Sequence, residues 1–276
     1  MEIKDLLSQT DKLPNIPEVV RELIQALNNP NANYDEISQK VTKDQTLSLK
    51  ILRLVNSAHF GLSRKVASID EAVVMLGMAK LKTLVIASGF ANSACDVEGI
   101  DLPVFWCDSF QVAELARWIA EMTDGEVDPD LAFTAGIIHN IGQLLLHMAQ
   151  PNRAMAIKTL ISTAGISRGK AEFDRLGFTS ADAGHALLEC WKFPEPLTLA
   201  IKYQNNPADL VQNPQLSAVL KLACLINCES KTGDDIEDIL QRFPTDIATI
   251  AGIQTNTADY LAEALAVKSS LDSLAA

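Results

Sequence analysis

A histidine and an asparagine lie side by side in an apolar stretch, where polar side chains need a reason to be. The stretch runs from Ala135 to Leu146 and reads AGIIHNIGQLLL, and the pair is His139 and Asn140. Burying two such groups without partners costs free energy, so they must form hydrogen bonds or hold a ligand. The pair is therefore part of a metal or catalytic site, or it is something that has lost that role.

Few other residues offer metal ligands or a catalytic base. The chain has 4 histidines and 5 cysteines. His147 lies about two helical turns after His139, which is too far for both to bind one ion. Cys224 and Cys228 are spaced to share an ion, but two thiolates without two further ligands are weak evidence for zinc. We find no glycine-rich phosphate loop and no HExxH or GxSxG motif.

The charge of the chain argues against a nucleic-acid partner. Lys and Arg number 23 and Asp and Glu number 35, so the net charge is −12. Such a chain repels a phosphate backbone, and no basic run offsets the repulsion. From Glu229 to the last residue, nine acidic residues stand against three basic ones. We expect this acidic extension to be a solvated surface or to face a basic partner.

The N-terminus and the cysteines predict a cytoplasmic protein. MEIKDLLSQTDK has no basic-then-apolar export signal, and the odd number of cysteines without a CxxC motif favours reduced thiols in core helices. The segment from Leu131 to Gln150 carries no formal charge and is long enough to span a bilayer. Its histidines, asparagine and glutamine would be costly in lipid, so we predict a buried core helix and no membrane partner.

Helical periodicity extends along nearly the whole chain, starting with the apolar stripe from Val19 to Leu27. A last helix is predicted from Thr257 to Leu274, and no segment alternates like a strand. Caps and first-turn prolines mark other helix starts: Asn33 with Glu36, Ser68 with Glu71, Pro103, Asp128 with Pro129, and Thr179 with Asp182. The pattern predicts an all-α, multi-helix protein in which one of these helices carries the His-Asn pair.

Several segments together resemble a known family. IIHNIGQLLL resembles the signature helix of the HD phosphohydrolase superfamily, which has a His-Asp pair at this place. LPNIPEVVRELIQAL, DQTLSLKILRLVNSAHFG and ASIDEAVVMLGMAKLKTLV resemble the HD-related output domain (HDOD) branch, in order, from about Leu13 to Pro207. The NSAHFG and SIDEAVVMLG segments are the most specific part.

The resemblance implies an HD-like helical bundle with an additional N-terminal lobe. We predict an N-terminal helical lobe over residues 1–95 and a degenerate HD-like lobe over residues 96–208. An acidic C-terminal helical extension over residues 209–276 completes the predicted organisation.

In catalytic HD proteins, histidines and carboxylates hold one or two metal ions, and a metal-bound water attacks a phosphate ester. His139 alone keeps the superfamily's residue type, since Asn140 lacks the charge that a bridging ligand needs. We predict no catalytic residue, no metal and no other cofactor. One open alternative is a single ion between Asp108, His139 and Cys224. The resemblance places the positions of the superfamily's metal site at seven residues, which we call the vestigial positions: Asp108, His139, Asn140, Ser180, Tyr203, Gln204 and Cys224.

These expectations predict a non-enzymatic bacterial signal-transduction module that acts through contacts with a protein partner. Two alternatives stay open: a residual metal-dependent phosphohydrolase or phosphodiesterase, and a protein that binds a nucleotide or small ligand at the same site without hydrolysing it. Asn56, Ser57 and His59 in NSAHFG are the candidate binding residues. The competing interpretation is structural, because short polar side chains at a helix end commonly bond to nearby backbone.

Overall fold

The chain is α-helical throughout the part that the structure describes, as predicted. In the computed structural model, the only β-type pairing among the described residues is one isolated bridge between Val97 and Ile100. The chain divides into two compact units. One unit contains Met1–Leu13 and Asp96–Ser269, and the other contains Pro14–Cys95 and Ser270–Ala276. The described residues are 3–7, 33–42, 48–49, 51–52, 55–56, 65–75, 97–191, 193–232, 234–253 and 257–267.

The smaller unit contains two of the predicted caps. The Asn33 side chain accepts a hydrogen bond from the backbone N–H of Asp35 (3.1 Å), just before the helix Tyr34–Thr42. The Ser68 hydroxyl accepts from the backbone N–H of Glu71 (3.2 Å) and begins the helical residues 69–75. Both caps confirm the sequence interpretation, whereas the predicted stripe from Val19 to Leu27 lies outside the described residues.

The larger unit contains the helices that carry most of the vestigial positions. We label the helices of the whole chain in order. They are α1 (Ile3–Leu7), α2 (Tyr34–Thr42), α3 (Leu102–Glu121), α4 (Pro129–Ile138), α5 (Ile141–Ala149), α6 (Pro151–Ala164), α7 (Arg168–Leu176), α8 (Ser180–Cys190), α9 (Glu195–Lys202), α10 (Gln215–Glu229), α11 (Ile236–Arg242), α12 (Thr245–Ile250) and α13 (Thr257–Ala266), with a 3₁₀ turn at Pro207–Asp209 before α10.

Helices α3 and α4 form the centre of this unit, and α10 packs against both. Each of the two begins at an aspartate that caps the first turn, Asp101 for α3 and Asp128 for α4. A Cβ atom placed on Gly136 would lie 2.3 Å from the Cα of Ala113, so the two backbones touch there. The first-turn prolines therefore predicted both helix starts, and a glycine sets how closely the helices pack.

The helix predicted to carry the His-Asn pair is interrupted at the pair, which corrects that expectation. Helix α4 ends at Ile138 and α5 begins at Ile141, while Asn140 adopts φ −98° and ψ 9°, outside the helical range. The Asn140 carbonyl then accepts hydrogen bonds from the N–H groups of Gln143 (2.9 Å) and Leu144 (3.2 Å), which start α5. The two polar residues thus form the turn between two apolar helices.

The segment Pro129–Ala149 covers both helices and is long and apolar enough to cross a membrane by length and composition alone. Within its most apolar window, 72% of the residues are buried inside the protein. The apolar character of this segment is thus used largely for packing within the unit.

A second close contact joins α5 to α8. A Cβ atom on Gly142 would lie 1.9 Å from the carbonyl oxygen of Ser180 and 2.5 Å from the backbone nitrogen of Gly184. Thr179 and Asp182 cap α8 reciprocally, as the sequence predicts. The start of α8 is therefore held by its own capping box and by backbone contact with α5.

Two further expectations are wrong. The last helix ends at Ala266, not at Leu274, and the carbonyl of Val267 instead accepts a hydrogen bond from the Gln111 side chain of α3 (2.6 Å). Cys190 and Cys228 are exposed rather than core thiols, because they lie at the end of α8 and on an outer face of α10. Cys107 and Cys224 are partly buried, and Cys95 lies outside the described residues.

Candidate functional site

The imidazole of His139 is buried at the end of α4. Only 7% of the residue is exposed, and Nδ1–H donates a hydrogen bond to the Gly136 carbonyl at 2.7 Å. Burial lowers the pKa of His139 to about 4, although the Gly136 bond and the nearby Asp108 carboxylate oppose the shift. The ring is therefore neutral at physiological pH.

Gln204 has the contact that joins two of the vestigial positions. Its Nε2 donates hydrogen bonds to the carbonyls of His139 and Ile201, both at 3.0 Å, and 9% of the residue is exposed. Gln204 follows the end of α9, which packs against α4. The side chain thus ties the end of α9 to the turn between α4 and α5.

Asp108 lies on α3 and forms an ion pair with Lys231. The Lys231 ammonium donates to its carboxylate at 2.5 Å, and 38% of the Asp108 side chain is exposed. Lys231 follows α10, so the ion pair joins the end of that helix to α3. This carboxylate already has a cation beside it.

Ser180 bonds to a buried glutamate. Its N–H and hydroxyl both donate to Oε2 of Glu172, at 2.7 and 2.9 Å, and 1% of the Glu172 side chain is exposed. Burial raises the pKa of Glu172, while the two hydrogen bonds and Arg168 oppose the shift. The sequence interpretation missed Glu172. The available signal was its position in α7 beside the apolar Ala171.

The remaining vestigial positions provide little for a metal. Burial raises the pKa of the Cys224 thiol to about 12, so the thiol is protonated at physiological pH when no ion is bound. The side chain of Asn140 forms no cap on α5. Tyr203 ends α9, and the Lys202 ammonium lies 5.5 Å from the centre of its ring.

The residues do not fit the metal centre that the HD superfamily implies. Among the described residues, no group of three His, Cys, Asp or Glu side chains is placed to hold an ion. His139 has the bonded Nδ1–H that a metal-ligating imidazole normally has. However, the ion-paired Asp108 carboxylate and the protonated Cys224 thiol do not complete a ligand set around it.

The NSAHFG candidates are only partly within the described residues, since Ser57 and His59 lie outside them. The Asn56 amide donates to the carbonyls of Leu52 and Val66, both at 2.8 Å, and accepts from the Val66 N–H at 2.7 Å. These bonds hold a helix end against a loop. For Asn56, these contacts agree with the structural interpretation, in which a short polar side chain bonds to nearby backbone.

An open pocket lies beside Tyr203, and the sequence interpretation did not identify it. The cavity has a volume of about 580 Å³ and is formed by the starts of α7 and α8, the end of α9, the loop after it and one residue of α10. We call it the basic pocket, because its lining includes Arg168, Lys170, Lys202 and Lys221. These four residues are spread over more than fifty positions, so no local basic run announced them.

Comparison with known proteins agrees with the fold. A protein from Shewanella amazonensis SB2B, named provisionally as a phosphohydrolase, shares 33% identity and a TM-score of 0.79 over 98% of both chains. A protein from Marinobacter aquaeolei VT8, named provisionally as a signal transduction protein, shares 24% identity and a TM-score of 0.76. That match covers 98% of this chain and 60% of the other.

An uncharacterized protein of Treponema pallidum is 25% identical over 203 residues, which is 73% of this chain. The match spans only 39% of the length of that relative. The HDOD domain matches residues 13–207, which include all of the predicted motifs from LPNIPEVV to the end of α9. By this match and by its HD-like, all-α structure, the chain belongs to the HDOD family.

Proposed function

We propose that this HDOD protein is a non-enzymatic signal-transduction module of the bacterial cytoplasm that acts by binding another protein. The proposal rests on the contacts that the side chains at the vestigial positions form. Gln204 bonds to the turn at His139, Ser180 bonds to Glu172, and Asp108 bonds to Lys231. Each contact joins two elements of the fold, so these positions serve packing where catalytic relatives have metal ligands.

Metal-assisted hydrolysis needs a cation that acidifies a water molecule, and anionic ligands that hold the cation. This chain offers a neutral imidazole at His139, a carboxylate already paired with an ammonium at Asp108, and a protonated thiol at Cys224. Such a set provides little negative charge for an ion. One structural relative is named provisionally as a phosphohydrolase and the other as a signal transduction protein. The donor set of this chain favours signalling over hydrolysis.

A hydrolysis assay tests the first half of the proposal. Full-length protein is incubated with phosphomonoesters, bis(p-nitrophenyl) phosphate and cyclic dinucleotides in the presence of Mn²⁺, Mg²⁺ or Zn²⁺. We expect no turnover above that of buffer with metal. Turnover that disappears in the His139→Ala variant would establish a residual phosphohydrolase and overturn the proposal.

A partner survey tests the second half. Crosslinking in cells followed by purification of the full chain is expected to recover one specific protein, which purified components then bind directly. The same crosslinking and purification from cells that lack the tagged chain is the control for nonspecific capture. Failure to recover a specific protein, or failure of the recovered protein to bind the purified chain, counts against a module that acts through protein contacts.

A further inference from the structure

The basic pocket concentrates positive charge in an acidic protein. Its lining contains four basic residues and two carboxylates, those of Asp182 and Asp209, whereas the whole chain has a net charge of −12. One oxygen of the Asp182 carboxylate already accepts hydrogen bonds from the N–H and the hydroxyl of Thr179, both at 2.8 Å. The lining side chains carry four positive charges against two negative ones, which favours an anion.

The basic side chains differ in how much of their charge is neutralised. Lys170 pairs with Asp174 at 3.2 Å, and Arg168 approaches Glu172 at 3.8 Å. Within the described part of the chain, Lys202 and Lys221 form no ion pair with a carboxylate. These two lysines come from α9 and α10, so they present ammonium groups from two different elements.

The start of α7 adds backbone donors to the same wall. The pocket is lined by Ser167, which caps α7, and by the first three residues of that helix, Arg168, Gly169 and Lys170. The first-turn N–H groups of a helix and its dipole favour phosphate groups. A Cβ atom on Gly169 would meet nothing within 4 Å, so the backbone there is open to a ligand.

Two aromatic rings complete the pocket. Phe173 is 60% exposed, which is unusual for its size, and lies one helical turn after the basic start of α7. Tyr203 also lines the pocket, with the Lys202 ammonium 5.5 Å from its ring centre. Phe173 is exposed and Tyr203 is half-buried, and aromatic rings next to cations suit a planar aromatic group joined to an anion. The volume of about 580 Å³ lies within the usual range for small-molecule sites.

We propose that the basic pocket binds a nucleoside di- or triphosphate, with the phosphates at Lys202, Lys221 and the start of α7 and the base against Phe173 and Tyr203. The pocket shares only Tyr203 with the vestigial positions. The site is therefore different from the old metal position, and the proposal does not depend on whether the protein has a protein partner.

Calorimetric titration of the full chain with ADP and GDP tests the proposal, with pyrophosphate and adenosine as separate probes of the two halves. We expect ADP or GDP to bind in the micromolar to millimolar range and to raise the melting temperature, because a ligand that binds only the folded state stabilises it. Pyrophosphate alone is expected to bind more weakly, and adenosine alone more weakly still. Binding is expected to weaken as salt concentration rises.

Two variant pairs locate the site. The double variant Lys202→Gln/Lys221→Gln is expected to weaken nucleotide binding at least about tenfold, the effect of losing roughly 1.4 kcal/mol of interaction. The matched control Lys4→Gln/Arg175→Gln removes the same charge from exposed residues outside the lining and should leave binding unchanged. Phe173→Ala is expected to weaken ADP binding while leaving pyrophosphate binding unchanged.

Three results would overturn the proposal. They are no binding of either nucleotide at millimolar concentration, equal loss of binding in the control pair, or pyrophosphate binding as tight as that of ADP. Circular dichroism and melting of each variant exclude a folding defect, and Phe173→Ala provides a separate measurement if the double variant is unstable.

Discussion

The buried contact of Gln204 with the His139 turn and the basic pocket at Tyr203 are neighbours in the chain, yet they are built in opposite ways. Around Gln204 the polar groups are buried, neutral and bonded to backbone carbonyls. Around Tyr203 they are charged, open to solvent and in part without ion-pair partners. The difference shows that neighbouring positions of one chain can be used for packing within the core and for an open, charged surface.

The largest expected effect is at the contact between α5 and α8. Gly142→Ala would place a methyl group against the backbone at Ser180, so we expect the free energy of unfolding to fall by more than about 3 kcal/mol. Gly169→Ala at the pocket is the matched control and should raise it by about 0.5 kcal/mol, since the site is open and alanine favours helix. Urea unfolding measures both. If both variants change the free energy of unfolding by similarly small amounts, the two regions do not differ in how tightly their backbones pack.

The next effect is a pH dependence at His139. The folded protein lowers the pKa of this ring from 6.5 to about 4, so folding favours the neutral form. Its contribution to stability is complete above pH 6.5 and is lost as the pH falls towards 4, by about 3 kcal/mol in total. We expect the wild type to lose this amount more than His139→Gln over that interval, measured by urea unfolding at each pH. Parallel curves for the two proteins would mean that the ring can be protonated in the folded state.

A smaller effect is expected at Gln204. Gln204→Leu retains the size of the side chain but removes the donor to the carbonyls of His139 and Ile201, and should cost about 2 kcal/mol. Gln143→Leu on α5 is the control, because the side chain of Gln143 takes no part in the hydrogen bonds described at this turn. This variant should change the free energy of unfolding by less than about 0.5 kcal/mol. If both variants behave alike, the Gln204 bridge is not what holds α9 to the turn.

The smallest effect belongs to the pocket lysines. Lys202→Gln/Lys221→Gln should change the free energy of unfolding by less than about 0.5 kcal/mol, because surface charges without partners contribute little to folding. The same variant is expected to lose nucleotide binding, so stability and binding separate in this region. A large loss of stability would show instead that the lysines support the fold.

Local signals predicted much of this fold. The capping box at Thr179 and Asp182 and the aspartate-proline start of α4 involve residues a few positions apart, so their patterns are readable in the sequence. The family resemblance predicted the all-α fold and the residues assigned to the vestigial site. It did not predict the break at His139 and Asn140, because that turn is held partly by Gln204, 65 residues away.

The rest of the candidate site depends on distant pairings that no local pattern encodes. Asp108 and Lys231 are separated by 123 positions, and the hydrogen bonds of Ser180 appear only with Glu172 beside it. The basic pocket collects its four cations from three helices of a chain whose average charge is negative. Composition therefore pointed away from anions, while the described surface contains a pocket lined by four basic residues.

The peptide bond between Tyr203 and Gln204 also has a mechanical consequence. A ligand that displaces Tyr203 can be accommodated by rotation of the Gln204 side chain, or it can lengthen the 3.0 Å bonds of Gln204 to the two carbonyls. In the second case the pocket and the buried turn become thermodynamically linked, and the linkage is reciprocal. Gln204→Leu would then change the affinity of the pocket by the same factor by which an occupied pocket weakens the bond, although residue 204 touches no ligand.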